Sequence, residues 1–281
     1  MGKRPVVVIP ADDPPMVGRS DCLQQLREFA DVRLYSDRPA DDAQMLERLR
    51  PADILLNSRS AVKVDGRLLS QLPNLKMIAV CGIGYDAIDI AAAGAQGIVV
   101  SNIPGRTAAV VAEHAFGLML AVSRRMAAMT RQVRAGAWPS DLGVSLIGKR
   151  AGIIGTGNIG CEMIRLCRSF GMDVVAWSFH QDQAKADRLG FCYCPLKDVL
   201  QTSDAVSLHV RLSGDSCGMI GAAQLAMMKR GAILINTSRA AVVDTLALAD
   251  ALQSGQLFGA GVDVYDTEPA PEYPQLQRDW C

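Results

Sequence analysis

The stretch Arg150-Ala151-Gly152-Ile153-Ile154-Gly155-Thr156-Gly157-Asn158-Ile159-Gly160 constrains this chain more than any other. A short apolar run feeds a glycine turn, and Ile159 to Phe170 reads as a helix. Gly155, Gly157 and Gly160 stand at G-x-G-x-x-G spacing. In that pattern the first glycine permits a tight strand-to-helix turn. The second leaves the backbone bare for a pyrophosphate, and the third lets the helix pack closely on the strand. The helix N-terminus adds free N–H groups and a partial positive charge. The spacing alone is a weak signal; the strand–turn–helix context raises it to an expectation of dinucleotide binding. A bare βα turn is the alternative that the rest of the chain must decide against.

On both sides of the turn, strand-like runs alternate with helical ones. Val6 to Ile9, Val32 to Tyr35, Ile54 to Leu56, Leu75 to Val80 and Ile98 to Val100 read as strands, with helices at Cys22 to Ala30, Ala43 to Arg50 and Leu68 to Leu72. This alternation predicts a parallel sheet with helices on both faces. Ligands gather at the carboxyl ends of the strands in such sheets. Two loops there carry suitable chemistry for a small carboxylate: Asn57-Ser58-Arg59-Ser60 and Cys81-Gly82-Ile83-Gly84. Simple turn-making accounts for Gly82 and Gly84 equally well. The turn-rich Ser101-Asn102-Ile103-Pro104-Gly105 marks a boundary, giving a first domain of 1–102 and a second of 103–281. Thr107 to Arg134 then reads as one long helix, apolar around much of its circumference in its first half, as expected of a helix wedged between domains or subunits. His114 within it reads as a packed, hydrogen-bonded histidine rather than a catalytic one.

After the glycine turn, strands at Asp173 to Ser178, Ala205 to Leu208, Ala232 to Ile235 and Gly259 to Val264 are separated by helices at Leu196 to Leu200, Ala222 to Met228 and Asp244 to Ser254. An Asp or Glu at the end of the second strand of such a unit grips the ribose 2′-hydroxyl of NAD. Ser178 stands there instead, and Asp173 is at the opposite end of its strand. The choice between NAD and NADP therefore stays open. His180, Lys185 and Arg188 are near enough in sequence to help a 2′-phosphate, although solvated surface is the plainer reading of them.

Composition sets the outer limits. Of 281 residues, 49% are hydrophobic and 21% charged, enough for a sizeable core. With 29 basic and 29 acidic residues the net charge is zero, which argues against a nucleic-acid or membrane-surface partner driven by bulk charge. The eight cysteines form no pair of C-x-x-C motifs, so no metal site is expected. The start of the chain does not read as a secretory leader, and no apolar run reaches membrane-spanning length. The expectation is a cytoplasmic protein.

Several further motifs join the glycine turn: Asn236-Thr237-Ser238-Arg239, Gly261-Val262-Asp263-Val264-Tyr265-Asp266-Thr267-Glu268-Pro269, Val111-Ala112-Glu113-His114 and Gly82-Ile83-Gly84-Tyr85-Asp86. With them the chain resembles the D-isomer-specific 2-hydroxyacid dehydrogenases, including D-3-phosphoglycerate dehydrogenases and hydroxypyruvate/glyoxylate reductases. The resemblance implies an α/β protein of two parallel-sheet domains, a flavodoxin-like substrate domain and a Rossmann NAD(P)-binding domain. It implies hydride transfer between NAD or NADP and a small 2-hydroxy or 2-keto acid.

Arg239 resembles the arginine that binds the substrate carboxylate and polarises the keto oxygen, and Glu268 the acid that orients the catalytic histidine. Asp263 is similar to the aspartate near the nicotinamide amide. Asn158 and Ile159 would sit at the pyrophosphate, with Ser178, Val210, Thr237 and Ser238 also lining the cofactor. Ser58, Arg59, Ile83 and Gly84 match the substrate-carboxylate cradle, and the long helix matches a homodimer-forming segment. The family's acid–base histidine lies in a Pro-His-x-Gly-Gly-like stretch beyond Glu268, and the sequence reaches Cys281 before any such stretch. The expectation is a C-terminally truncated member, impaired in turnover and lacking the family's return segment. The alternative is a catalytically inactive dinucleotide-binding or corepressor-like protein.

Overall fold

The computed structural model describes residues 4–138 and 142–267. They fall into two compact units, divided between Arg106 and Thr107. Ile103 to Arg106 stay with the first unit. Ile103 N donates to the Gly82 carbonyl (3.1 Å), and the neighbouring Asn102 amide donates to the Ile83 carbonyl (2.7 Å).

The first unit runs β1 (Val6–Ile9), α1 (Cys22–Phe29), β2 (Asp31–Leu34), α2 (Asp42–Leu49), β3 (Ile54–Ser58), α3 (Gly66–Leu69), β4 (Met77–Cys81), α4 (Ile90–Ala95) and β5 (Val99–Ser101). Its five strands lie in the order β2-β1-β3-β4-β5, and every pairing is parallel. This is the flavodoxin-like order. β1 is buried along its whole length, as a continuous Val-Val-Val-Ile run demands when helices cover both faces of the sheet.

The second unit runs α5 (Ala108–Ser123), α6 (Met126–Arg134), β6 (Arg150–Ile154), α7 (Asn158–Ser169), β7 (Asp173–Trp177), α8 (Gln183–Leu189), β8 (Cys192–Tyr193), α9 (Leu196–Thr202), β9 (Ala205–Leu208), α10 (Ala222–Met227), β10 (Ala232–Asn236), α11 (Thr245–Gln253) and β11 (Leu257–Val262). Its sheet has the order β11-β10-β9-β6-β7-β8, again all parallel. Two mononucleotide halves thus meet between β6 and β9, the Rossmann arrangement, with the order reversing beside the glycine turn.

Local sequence sets many of the helix starts. Asp41, Asp65, Asp89, Asp182 and Asp244 each accept a backbone N–H from the first turn of α2, α3, α4, α8 and α11. A side-chain acceptor at this position satisfies a donor that the helix itself leaves unpaired.

The expected single helix from Thr107 to Arg134 is two helices. Arg125 adopts a left-handed conformation (φ 50°) between α5 and α6. The Ser123 carbonyl accepts from Val144 N (2.7 Å) instead of extending the helical ladder. The Arg125 guanidinium lies 4.5 Å from the Phe258 ring centroid, so packing against β11 fixes the break. α5 buries Ala108, Ala112, Ala115, Met119 and Ser123 along one stripe and leaves Val110 66% exposed. Among the described residues no helix is long and apolar enough to cross a membrane.

Candidate active site

The three glycines of the turn do three different things. Gly155 has φ 100°, and a side chain there would meet the His209 carbonyl oxygen at 2.6 Å. A Cβ on Gly160 would overlap the Gly155 carbonyl oxygen. Neither position tolerates a side chain, because the strand, the turn and α7 are pressed together. Gly157 differs. It is exposed, its φ of −71° suits any residue, and a Cβ there would have nothing within 4 Å. Folding does not need a glycine at 157, whereas a ligand lying on the backbone does. This fits a pyrophosphate resting on Gly157 and on the exposed N-terminus of α7 at Asn158 and Ile159.

The turn is braced from its neighbours. Gly155 N donates to Trp177 O (2.7 Å), and His209 N donates to Ile154 O (2.7 Å). Thr156 is buried, with its hydroxyl 2.8 Å from the Tyr193 hydroxyl. Ser178 follows β7 immediately and is half-buried. Asp173 is at the other end of β7, paired with Arg150 at 2.7 Å.

The remaining residues expected of the second unit arrive at the same edge of the sheet. Val210 follows β9 and is buried. Thr237, Ser238 and Arg239 leave β10 in a tight turn built by Asn236. The Asn236 side chain accepts from Ser238 N (3.0 Å) and Ser238 Oγ (2.8 Å), and donates to the Arg239 carbonyl (2.9 Å). Thr237 Oγ1 is buried and finds no hydrogen-bond partner among the described residues, so the turn holds an unused polar atom at the sheet's carboxyl edge. Arg239 is half-buried, its Nη1 held by the Ser238 carbonyl at 2.7 Å.

Asp263 leaves β11 with its N–H on the Asn236 carbonyl (3.1 Å). Its Oδ1 lies 3.4 Å from His114 Nε2. His114 thus has the polar partner that the sequence reading expects, but it is less packed than expected, its side chain being 52% exposed. Glu268 lies outside the described residues.

Within the first unit, Ser58 and Arg59 meet Ile83 and Gly84 at the ends of β3 and β4. Arg59 N donates to the Cys81 carbonyl (3.3 Å), and the Ser60 hydroxyl to the Gly84 carbonyl (3.4 Å). Arg59 and Ser60 both have positive φ, 53° and 55°, a strained state for residues with side chains and one that favours ligand-binding loops. Buried Asn57 holds the loop in place, donating to the Val62 carbonyl (2.9 Å) while its Oδ1 accepts from Val62 N (3.4 Å). The sequence flagged the loop but not Asn57 as its brace, since an Asn at a strand end has no local signature for that role. Among the described residues no cluster of His, Cys, Asp or Glu has metal-ligating geometry.

His209 is neutral at pH 7: burial pushes its imidazole down to about 4, and its Nε2 lies 2.9 Å from Ser207 Oγ. A histidine depressed on folding binds its proton more readily in the unfolded chain. Its contribution is whole above the unfolded pKa near 6.5, is lost progressively as pH falls towards 4, and changes no further below that. The loss amounts to about 3 kcal/mol. We expect urea denaturation midpoints to fall between pH 6.5 and 4.5, and the slope to flatten in His209→Gln. An equal slope in that variant would assign the acid sensitivity to other groups.

Known proteins agree with this architecture. Residues 116–280 match the family model described as D-isomer specific 2-hydroxyacid dehydrogenase, NAD binding domain. A glyoxylate reductase of Thermococcus litoralis is 39% identical over 257 residues, covering 88% of this chain and 77% of its own length. A D-3-phosphoglycerate dehydrogenase of Mycobacterium leprae is 37% identical, over 94% of this chain and 51% of its own. The solved structure of a D-lactate dehydrogenase from Aquifex aeolicus, in complex with NAD and lactic acid, superposes with a TM-score of 0.82 at 30% identity, covering 94% of this chain and 78% of that one. With both sheets in the expected order and the glycine turn formed, the chain belongs to the D-isomer-specific 2-hydroxyacid dehydrogenases, a family of NAD(P)-dependent oxidoreductases.

Proposed function

We propose that this chain interconverts a small 2-keto acid and its D-2-hydroxy acid, with Arg239 as the substrate-polarising residue. The observation that carries the reading is the glycine turn, whose middle residue is bare where folding does not require it to be. Bound there, the dinucleotide supplies a hydride to the carbonyl carbon or takes one from the alcohol carbon.

The protein's own residues do the rest. Gly157, Asn158 and Ile159 receive the pyrophosphate, while Ser178, Val210, Thr237 and Ser238 line the cofactor. Asp263 orients the nicotinamide amide, and its contact with His114 steadies it. Arg239 presents a planar fork of donors to the substrate. It would pair with the carboxylate and stabilise negative charge on the keto oxygen, to which an acid–base group must also deliver a proton. In the first unit, the Ser58–Arg59 and Ile83–Gly84 loops offer N–H groups and a cation to a carboxylate. Glu268 is the candidate partner for an acid–base group.

The test is to follow loss of reduced-nicotinamide absorbance at 340 nm with glyoxylate or hydroxypyruvate. Turnover lowered about 10³-fold by Arg239→Ala supports the reading. A chain that binds dinucleotide but turns over neither acid is a binding protein instead. The proposal extends to a homodimer through α5, where Val110 is exposed. Val110→Glu is expected to convert a dimer to a monomer in light scattering, and an unchanged mass would place the contact elsewhere.

A further inference from the structure

The adenosine end of the cofactor site carries chemistry that the family assignment leaves unsettled. Three observations meet there. Ser178 occupies the end of β7, where an NAD-selective unit needs a carboxylate to accept from the ribose diol. Because Gly155 N is bonded to Trp177 O, Ser178 lies directly beside the turn. No carboxylate at that position repels a 2′-phosphate.

The second observation is Lys185. The sequence reads it as solvated surface, but its side chain is only 27% exposed. Its Nζ reaches across from α8 to donate to the Thr156 carbonyl at 3.1 Å, inside the glycine turn. The third is the wider field. Lys185, Arg165 and Arg188 lie within electrostatic reach of Cys161 on the first turn of α7, as does the Glu162 carboxylate. The acidic groups nearby are largely committed. Asp182 caps α8 through Oδ1, with Oδ2 4.0 Å from Lys185 Nζ, while Glu162 pairs with Arg165 and Asp187 accepts from Gln183.

We propose that the chain prefers NADP(H) to NAD(H), and that Lys185 sets the preference by binding the ribose 2′-phosphate beside Ser178. The proposal rests on dinucleotide binding at the glycine turn. The ammonium is already at the turn, donating to the Thr156 carbonyl at 3.1 Å with the Asp182 carboxylate 4.0 Å away. A phosphate oxygen is a stronger acceptor than a carbonyl, and a flexible four-carbon stem can make the exchange without moving α8.

Calorimetric titration of the full chain with 2′,5′-ADP and with 5′-AMP isolates the 2′-phosphate, the one group by which the two differ. We expect 2′,5′-ADP to bind about tenfold more tightly. Lys185→Met, which keeps the apolar stem, should bring the two affinities together by weakening 2′,5′-ADP alone. Lys185→Arg should keep the preference. Ser178→Asp should reverse it, raising affinity for 5′-AMP and repelling the bisphosphate. Thermal midpoints of the unliganded variants confirm that each is folded. Equal affinities in the unmodified protein, or a preference that survives Lys185→Met, overturn the assignment while leaving dinucleotide binding intact. Failure of both nucleotides and of NADH and NADPH to bind at millimolar concentration overturns the dinucleotide site itself.

Discussion

Gly157→Val is expected to leave the protein folded and to remove its affinity for dinucleotides. The backbone at 157 is in a region open to any residue, and a Cβ there meets nothing within 4 Å. The added side chain would stand where the pyrophosphate must approach, separating it from the N–H groups at the start of α7. Losing two charge-assisted hydrogen bonds weakens binding on the order of 100-fold. Fluorescence titration with NADH and NADPH measures the loss, and urea denaturation checks the fold.

Gly160→Ala makes the opposite case. Its methyl would overlap the Gly155 carbonyl oxygen, a backbone atom that cannot swing aside. We expect destabilisation of about 3 kcal/mol. The pair separates two reasons for glycine that the spacing alone cannot distinguish. If both variants fold equally well and bind equally well, the turn is not a cofactor turn.

Arg239→Ala should lower kcat/KM about 10³-fold, the scale for removing a donor aimed at developing negative charge. Dinucleotide affinity should change far less, because the Asn236 side chain ties the turn to Ser238 N, Ser238 Oγ and the Arg239 carbonyl, and none of these bonds needs the guanidinium. Arg239→Lys should recover little. A point charge on a flexible stem cannot hold two substrate oxygens in one plane. A lysine variant with near-normal kcat/KM would show that only charge is needed at 239.

The parts of this protein legible in its sequence are those whose causes are local. The Val6–Ile9 run, the aspartate caps and the pressing of Gly160 on the Gly155 carbonyl each carry their reason within a few residues. Other features are set by contacts distant along the chain. The break at Arg125 depends on Phe258 and Val144. The left-handed Arg59 and Ser60 are held by Cys81 and Gly84, and nothing in an Arg-Ser pair announces positive φ. Lys185 looks like any surface lysine until α8 brings it to Thr156. The residues expected to bind cofactor were named from motifs, but only the parallel sheet shows why motifs so far apart in the chain share one edge.

The order of that sheet also bears on how the protein comes into being. β6 is the first strand of its sheet to be synthesised, yet it sits in the middle. β7 follows soon after on one side. The other side is empty until β9 arrives, pairing Ala205 with Ala151 after the whole α7-to-α9 stretch has been made. Closing so long a loop is slow, and parallel pairings of this kind form late. The carbonyl of His209, which presses on Gly155, and its N–H, which braces Ile154, both come with β9. A nascent chain that has emerged only as far as β8 therefore carries the complete glycine motif with one wall of its binding site still unbuilt.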